Sequence, residues 1–349
     1  RKPAYIHAVC SELEMRKEYL GGETIETIYW GGGTPSQLDK EDFETIFYYL
    51  HKNYSISSHP EITLEANPDD LTPDYIAMLR TLPFNRLSMG IQTFNESILK
   101  VLQRRHTARQ AIEAFQNCRA AGFQNISIDL MYGLPGETLS TWQQDLDQAL
   151  LLHPEHLSAY HLIYEEDTVL WKLREQHKVE EADEDLSVSL FSTLIDRLTS
   201  EGYDHYEISN FSLPGLYSRH NSSYWTEKKY LGCGPSAHSY NGVSRQWNVA
   251  SLDTYIKGIS AGTPVFEIEE LDLYTRYNDF VITRIRTEWG MPLSKLRDEF
   301  GEKLYDYCLR MAAPHLKQGT LELVNDILKL TRKGIFISDG IMSDMLWTD

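Results

Sequence analysis

Three consecutive glycines, Gly31, Gly32 and Gly33, stand in the stretch IYWGGGTPS, directly before Thr34-Pro35. Glycine weakens a strand end, so it is worth using there when a ligand or another backbone must come close. The run lacks both the Gly-Lys-Ser/Thr of a phosphate-binding loop and the spacing of a dinucleotide fingerprint. On the glycines alone, a tight strand-to-helix turn and a ligand cradle are level. Thr34-Pro35 favours the cradle, because the prolyl ring fixes the loop exit and keeps the glycine amides and carbonyls aimed. Polar residues recur at matching places. Glu65 ends EITLEA, Gln92 follows RLSMG, Asp129 sits late in NISIDLMYG, and Tyr160-His161 come late in HLSAYHLIY. A carboxylate late in an apolar strand is costly unless it is paired or hydrogen-bonded. Repetition over four successive strands points to one shared site. Arg104 in VLQRRH can fork onto a carboxylate, although exposed arginines are commonplace. Glu65 with Asp129 also permits a second chemistry, glycoside hydrolysis by paired carboxylates, which explains the glycines poorly.

A second concentration of unusual residues runs from Ser218 to Tyr240 and places His220, Asn221, Tyr224 and Trp225 shortly before Gly232-Cys233-Gly234. Histidine and aromatics more often pack or hydrogen-bond than bind a ligand, but together they could line a flat apolar pocket with an axial ligand. Cys10, Cys118, Cys233 and Cys308 are far apart, which argues against a disulfide framework or a zinc knuckle and suits a reducing cytoplasm.

The elements that must hold these residues alternate. Helical spacing over residues 4–20, stopped by Gly21-Gly22, precedes the strand TIETIYW and a helix begun at Asp39. Thr72 and Pro73 read as the N-cap and first position of another helix. Five strands fall between residues 24 and 164, alternating with helical segments, and residues 203–209 supply a plausible sixth. This is the pattern of a parallel α/β sheet with right-handed crossovers. A complete or partial β/α barrel fits best, with a Rossmann-type open sheet as runner-up; in both, the C-terminal strand ends form the ligand face. From about Glu269 the pattern changes to helices over 271–287, 292–300 and 303–319. A hairpin turning at Asn325-Asp326 and a last helix over 332–346 complete a winged-helix-like α+β module.

With 349 residues, 42% of them hydrophobic, the chain has room for a large domain and a smaller one. The formal charge of -18 argues against a general grip on nucleic acid. No stretch approaches the ~20 apolar residues of a membrane span.

Taken together, YWGGGTPS, LEANPDDL, RLSMGIQTFN, LQRRH, IDLMYGLPGET and HNSSYW resemble the radical S-adenosylmethionine proteins related to oxygen-independent coproporphyrinogen III oxidase. The resemblance covers nearly the whole chain in family order. It implies a partial (β/α)6 barrel over residues 1–210, a linker and heme-motif region packing on the barrel over 211–268, and a winged-helix-like domain over 269–349. It further implies that Gly32, Gly33 and Thr34 hold the methionyl end of S-adenosylmethionine, and that Glu65, Gln92, Arg104 and Asp129 complete that site. The [4Fe–4S] cluster of the family needs a C-x3-C-x2-C triplet that this chain lacks; its ligands, with the first barrel strand, are expected N-terminal to residue 1. HNSSYW fits the H-N-x-x-Y-W pattern of the heme-chaperone branch, which implies heme binding by His220, Asn221, Tyr224 and Trp225, with His220 as the iron ligand. The expected function is delivery of heme to heme-requiring respiratory proteins in the cytoplasm. Radical decarboxylation of coproporphyrinogen is the alternative and the glycosidase a remote one. Peripheral membrane association and a homodimer are compatible with this reading.

Overall fold

The computed structural model describes residues 1–348. In chain order its elements are α1 (Lys2–Met15), β1 (Ile25–Trp30), α2 (Lys40–Asn53), β2 (Ile56–Ala66), α3 (Pro73–Leu79), β3 (Arg86–Gln92), α4 (Glu96–Val101), α5 (Ala108–Ala120), β4 (Ile126–Tyr132), α6 (Leu139–Leu151) and β5 (His156–His161). Then follow α7 (Val169–Glu175), α8 (Glu184–Ser200), β6 (Asp204–Glu207), β7 (Asn210–Ser212), α9 (Arg219–Tyr224), β8 (His238–Tyr240), β9 (Ser244–Asn248), α10 (Leu252–Ser260) and β10 (Phe266–Glu270). The chain closes with α11 (Leu273–Ile285), β11 (Met291–Pro292), α12 (Leu293–Gln318), β12 (Leu321–Val324), β13 (Ile327–Leu330), α13 (Arg332–Ile335) and α14 (Ser338–Met345). The fold has two compact units: residues 27–40 with 61–218, and residues 1–26 with 41–60 and everything from Arg219 onward.

The first of these units carries a curled, half-barrel sheet of seven strands in the order β1-β2-β3-β4-β5-β7-β6. The expected alternation holds from β1 to β5, with β2 to β5 paired in parallel. The sixth strand does not extend the parallel run directly. A short hairpin inserts β7 antiparallel between β5 and β6. Local signals place the helices: Thr72 accepts a hydrogen bond from the Tyr75 amide with Pro73 behind it, and Thr107 and Thr138 form capping boxes.

The sheet has two chemically different faces. Leu87, Met89 and Ile91 of β3, Ile126, Ile128 and Leu130 of β4, and Leu157 and Ala159 of β5 are fully buried and apolar. Alternating with them are Arg86 and Ser88, Ser127 and Asp129, and His156, Ser158 and Tyr160. Strand side chains point alternately to opposite faces, so the second set shares one surface. Parallel sheets usually read as apolar on both faces. A polar inner face therefore needs internal partners. His156 supplies several: Nδ1 lies 2.7 Å from the Ser127 hydroxyl and Nε2 2.7 Å from the Tyr206 hydroxyl. Above it, Ser158 donates to Asn210 Oδ1 at 2.9 Å, and Asn210 Nδ2 donates to Glu207 at 2.6 Å.

In the other unit, α1 ends at Met15, and turns fill Arg16–Gly22, so the helix stops before the glycine pair expected to end it. Its Glu12 is a buried hub. The carboxylate accepts from the Gly234 amide at 2.9 Å, Asn248 Nδ2 at 2.8 Å and the Tyr255 hydroxyl at 2.7 Å, with Arg16 Nη1 at 3.2 Å. Of the stretch 211–268 read as a linker with a heme motif, the part from Arg219 onward lies in this unit and holds α9, α10 and, with β10 reaching Glu270, an antiparallel sheet in the order β10-β9-β8. Beyond them, α11, α12 and the three-stranded β11-β13-β12 sheet surround Tyr277, Phe280, Phe300, Leu304 and Leu328. Asn325 and Asp326 both have positive φ, as a two-residue hairpin turn requires. The single final helix expected over 332–346 is two helices, α13 and α14, separated at Phe336-Ile337.

Candidate functional site

At the C-terminal ends of the half-barrel strands, Glu65 of β2 meets the glycine loop. Its Oε1 accepts from the Tyr29 hydroxyl at 2.7 Å and its Oε2 from the Gly32 amide at 3.2 Å. The adjacent carboxylate, together with burial, pushes the Tyr29 phenol far above its ordinary range, with burial the larger cause. Gly31 is required for this contact: a Cβ there would lie 2.6 Å from the Tyr29 ring and 2.7 Å from the Glu65 carboxyl. Gly32, with φ +74°, adopts a left-handed conformation, and Gly32 and Gly33 both have open space where a side chain would stand. The loop is thus tight on one side and open on the other. Thr34 leads into a 3-10 turn over Pro35–Gln37, held by Ser36 donating to Asp70 at 2.7 Å.

Across the sheet, Gly90 is a second point of convergence. Arg104 Nη2 donates to Asn67 Oδ1 at 2.7 Å and to the Gly90 carbonyl at 2.8 Å. Its Nε and Nη1 make no hydrogen bond among the described residues, so one edge of the fork is open. Gln92 stands beside it at a bulge, with φ +72° and a register shift against β4. Non-glycine residues held in that region cluster at ligand clamps. Asp129 of β4 accepts from the Ser88 hydroxyl at 3.2 Å. Burial and the neighbouring Glu65 push its carboxyl up to about 6, against the opposing influence of Arg86, Ser88 and Ser158. Arg86 is buried at the start of β3, and its Nε and Nη2 find no hydrogen-bond partner among the described residues. Its cation works with burial to keep His156 neutral, burial being the larger cause.

The structure therefore brings Gly32, Glu65, Gln92, Arg104 and Asp129 to the same set of strand ends, as their sequence positions suggested. Tyr160 is on the rim and 44% exposed, whereas His161 turns away to the Ser187 hydroxyl at 3.0 Å. Tyr29, Asn67, Ser88 and Arg86 escaped the sequence reading. For Arg86 and Ser88 the signal was the period-two alternation in RLSMG, ISID and HLSAYH, which marks a polar face even inside a parallel sheet; Tyr29 and Asn67 carry no such signal.

The second candidate is α9. One helical turn brings His220 Nε2 to 2.9 Å from the Tyr224 hydroxyl, with the rings at 88° and centroids 5.2 Å apart. The Tyr224 ring meets Tyr230 edge-on at 4.9 Å and is 37% exposed. Trp225 has its face covered by the Arg286 guanidinium, 4.3 Å from the ring centroid, and its indole nitrogen is buried without a hydrogen-bond partner among the described residues. Cys10, Cys118 and Cys308 are buried and Cys233 partly so. No group of three His, Cys, Asp or Glu side chains fit to hold a metal occurs among the described residues.

The profile of the Radical SAM superfamily matches residues 4–149, and that of the HemN C-terminal domain matches residues 271–337. The heme chaperone HemW of Mycobacterium tuberculosis is 32% identical over 98% of this chain and 86% of its own. HemW of Lactococcus lactis is also 32% identical, over 99% of this chain and 90% of its own. HemW of Bacillus subtilis is 30% identical over 98% and 91%. Among solved structures, coproporphyrinogen III oxidase (HemN) from Escherichia coli superposes with a TM-score of 0.84 over 98% of this chain and 82% of its own, at 23% identity.

Proposed function

We propose that this chain, which belongs to the heme chaperone HemW family, binds heme and delivers it to heme-requiring proteins. The observation that carries the reading is the His220-Asn221-Ser222-Ser223-Tyr224-Trp225 motif, whose α9 residues present an imidazole and a phenol as one hydrogen-bonded pair. Both are iron-ligand chemistries, and the Tyr230 ring stands edge-on beside the pair. Respiratory heme proteins are the proposed acceptors, and the cytoplasm the proposed location. No helix among the described residues is long and apolar enough to cross a membrane.

S-Adenosylmethionine is assigned to the half-barrel mouth. The open edge of Arg104 suits its carboxylate, the exposed backbone of Gly32 and Gly33 its methionyl end, and Glu65 and Asp129 its amino group and ribose hydroxyls. Thr34 and Gln92 are assigned to the same cofactor. When bound and reduced, this cofactor supplies one-electron chemistry in the radical SAM family. The [4Fe–4S] cluster that the family implies does not fit the residues of this chain, because its four cysteines are dispersed and no C-x3-C-x2-C triplet occurs.

The likeness to HemN is one of fold, and a shared fold does not fix a reaction. The glycosidase alternative falls away, because the chain lies in the HemW family. Titration with ferric heme tests the assignment of the motif. The double variant His220→Ala/Tyr224→Phe is expected to lose at least about tenfold in heme affinity, equivalent to about 1.4 kcal/mol. Unchanged affinity would place the heme site elsewhere.

A further inference from the structure

We infer that the atom of the heme motif that binds iron is the phenol oxygen of Tyr224, with His220 serving as the base that takes its proton. This rests on the heme reading of α9 given above and changes the expected ligand from His220 to its neighbour.

The geometry favours the phenol. His220 Nε2 is directed at the Tyr224 hydroxyl at 2.9 Å. The direction of this bond follows the ring tautomer: where the hydroxyl donates, the Nε2 lone pair is engaged and Nδ1 carries the proton, so in that arrangement the phenol oxygen is the atom of the pair left to meet iron. The phenol oxygen keeps lone pairs of its own while donating. Of the two side chains, Tyr224 is the more exposed, and its ring is braced edge-on by Tyr230 rather than free to swing. Trp225, by contrast, is committed to Arg286.

The step balances without a redox partner. The O–H bond of Tyr224 breaks, its proton passes to His220 Nε2, and the phenolate oxygen forms a bond to ferric iron in place of a weakly held ligand. The imidazolium that results remains hydrogen-bonded to the phenolate. The pair is built for ferric heme, because an anionic oxygen is a harder donor than imidazole and holds Fe(III) in preference to Fe(II). Reduction of the iron thus becomes a release signal.

Ferric heme added to the full chain provides the test, read by absorbance and resonance Raman spectroscopy. The wild-type complex is expected to show phenolate–iron vibrations and a high-spin ferric spectrum, and its affinity should fall at least tenfold when dithionite reduces the iron. Tyr224→Phe, which keeps the ring against Tyr230, should abolish the phenolate bands. His220→Gln should retain them with weaker affinity. A wild-type spectrum in Tyr224→Phe, with loss of that spectrum in His220→Gln, would make His220 the ligand and overturn the inference. Wild-type spectra and affinities in both variants would overturn it together with the heme reading of α9.

Discussion

Asp129 shows how one residue links the barrel's interior to its mouth. Its carboxyl is pushed up to about 6, first by burial and then by Glu65, while Arg86, Ser88 and Ser158 restrain the rise. The folded state therefore binds this proton more readily than the unfolded chain. The contribution favours folding at low pH and is lost as pH rises through about 6. Ligand binding runs the other way, since an ionised carboxylate is the better acceptor for an amino group or a ribose hydroxyl. Calorimetry of S-adenosylmethionine binding should show affinity falling as pH drops through 6, approaching tenfold per unit well below it. Asp129→Asn should flatten that dependence. A wild-type affinity constant from pH 7.5 to 5 would remove Asp129 from the site. At this scale the sequence was informative about Glu65 and Asp129, because charge late in a strand is conspicuous, and about Arg104 only through the family resemblance of LQRRH. It was silent on Tyr29 and Asn67, whose roles depend on which side chain lies across the loop.

Among the elements, α1 carries the clearest energetic signature. Its Glu12 is 1% exposed yet accepts from a backbone amide, an amide side chain and a phenol supplied by residues more than two hundred positions away. Removing one member of such a network leaves its donors buried and unsatisfied. Glu12→Ala should cost about 3–5 kcal/mol in chemical denaturation, the usual range for breaking a buried charged network. Glu12→Gln, which keeps an acceptor oxygen, should recover part of it. A loss below about 1 kcal/mol would mean that water replaces the carboxylate. Nothing in the helical periodicity of residues 4–20 announces this role. Other elements were legible from local chemistry: Thr72-Pro73 begins a helix, and Asn325-Asp326 turns a hairpin. The three-residue strand β7 was not, since so short a segment carries no period and is fixed by its neighbours β5 and β6. The break between α13 and α14 was hidden for a related reason, because the apolar spacing continues through Phe336-Ile337 while the backbone does not.

For the molecule as a whole, the fold was readable from strand–helix alternation and from motifs in family order, and the near-full-length likeness to HemW proteins agrees with it. The two chemistries occupy different stretches of the chain, the half-barrel mouth within residues 27–40 and 61–218 and the heme motif within α9. A chaperone must hold its cargo firmly enough to keep it and loosely enough to part with it, so binding by itself does not define the function. Transfer does. The direct measurement mixes the heme-loaded full chain with a heme-depleted respiratory heme protein and follows the Soret band of each after separation. Heme is expected to move to the acceptor, and coproporphyrinogen is expected to stay unchanged in the presence of this chain. Retention of heme in the presence of excess acceptor, or decarboxylation of coproporphyrinogen by the protein, would contradict the chaperone reading.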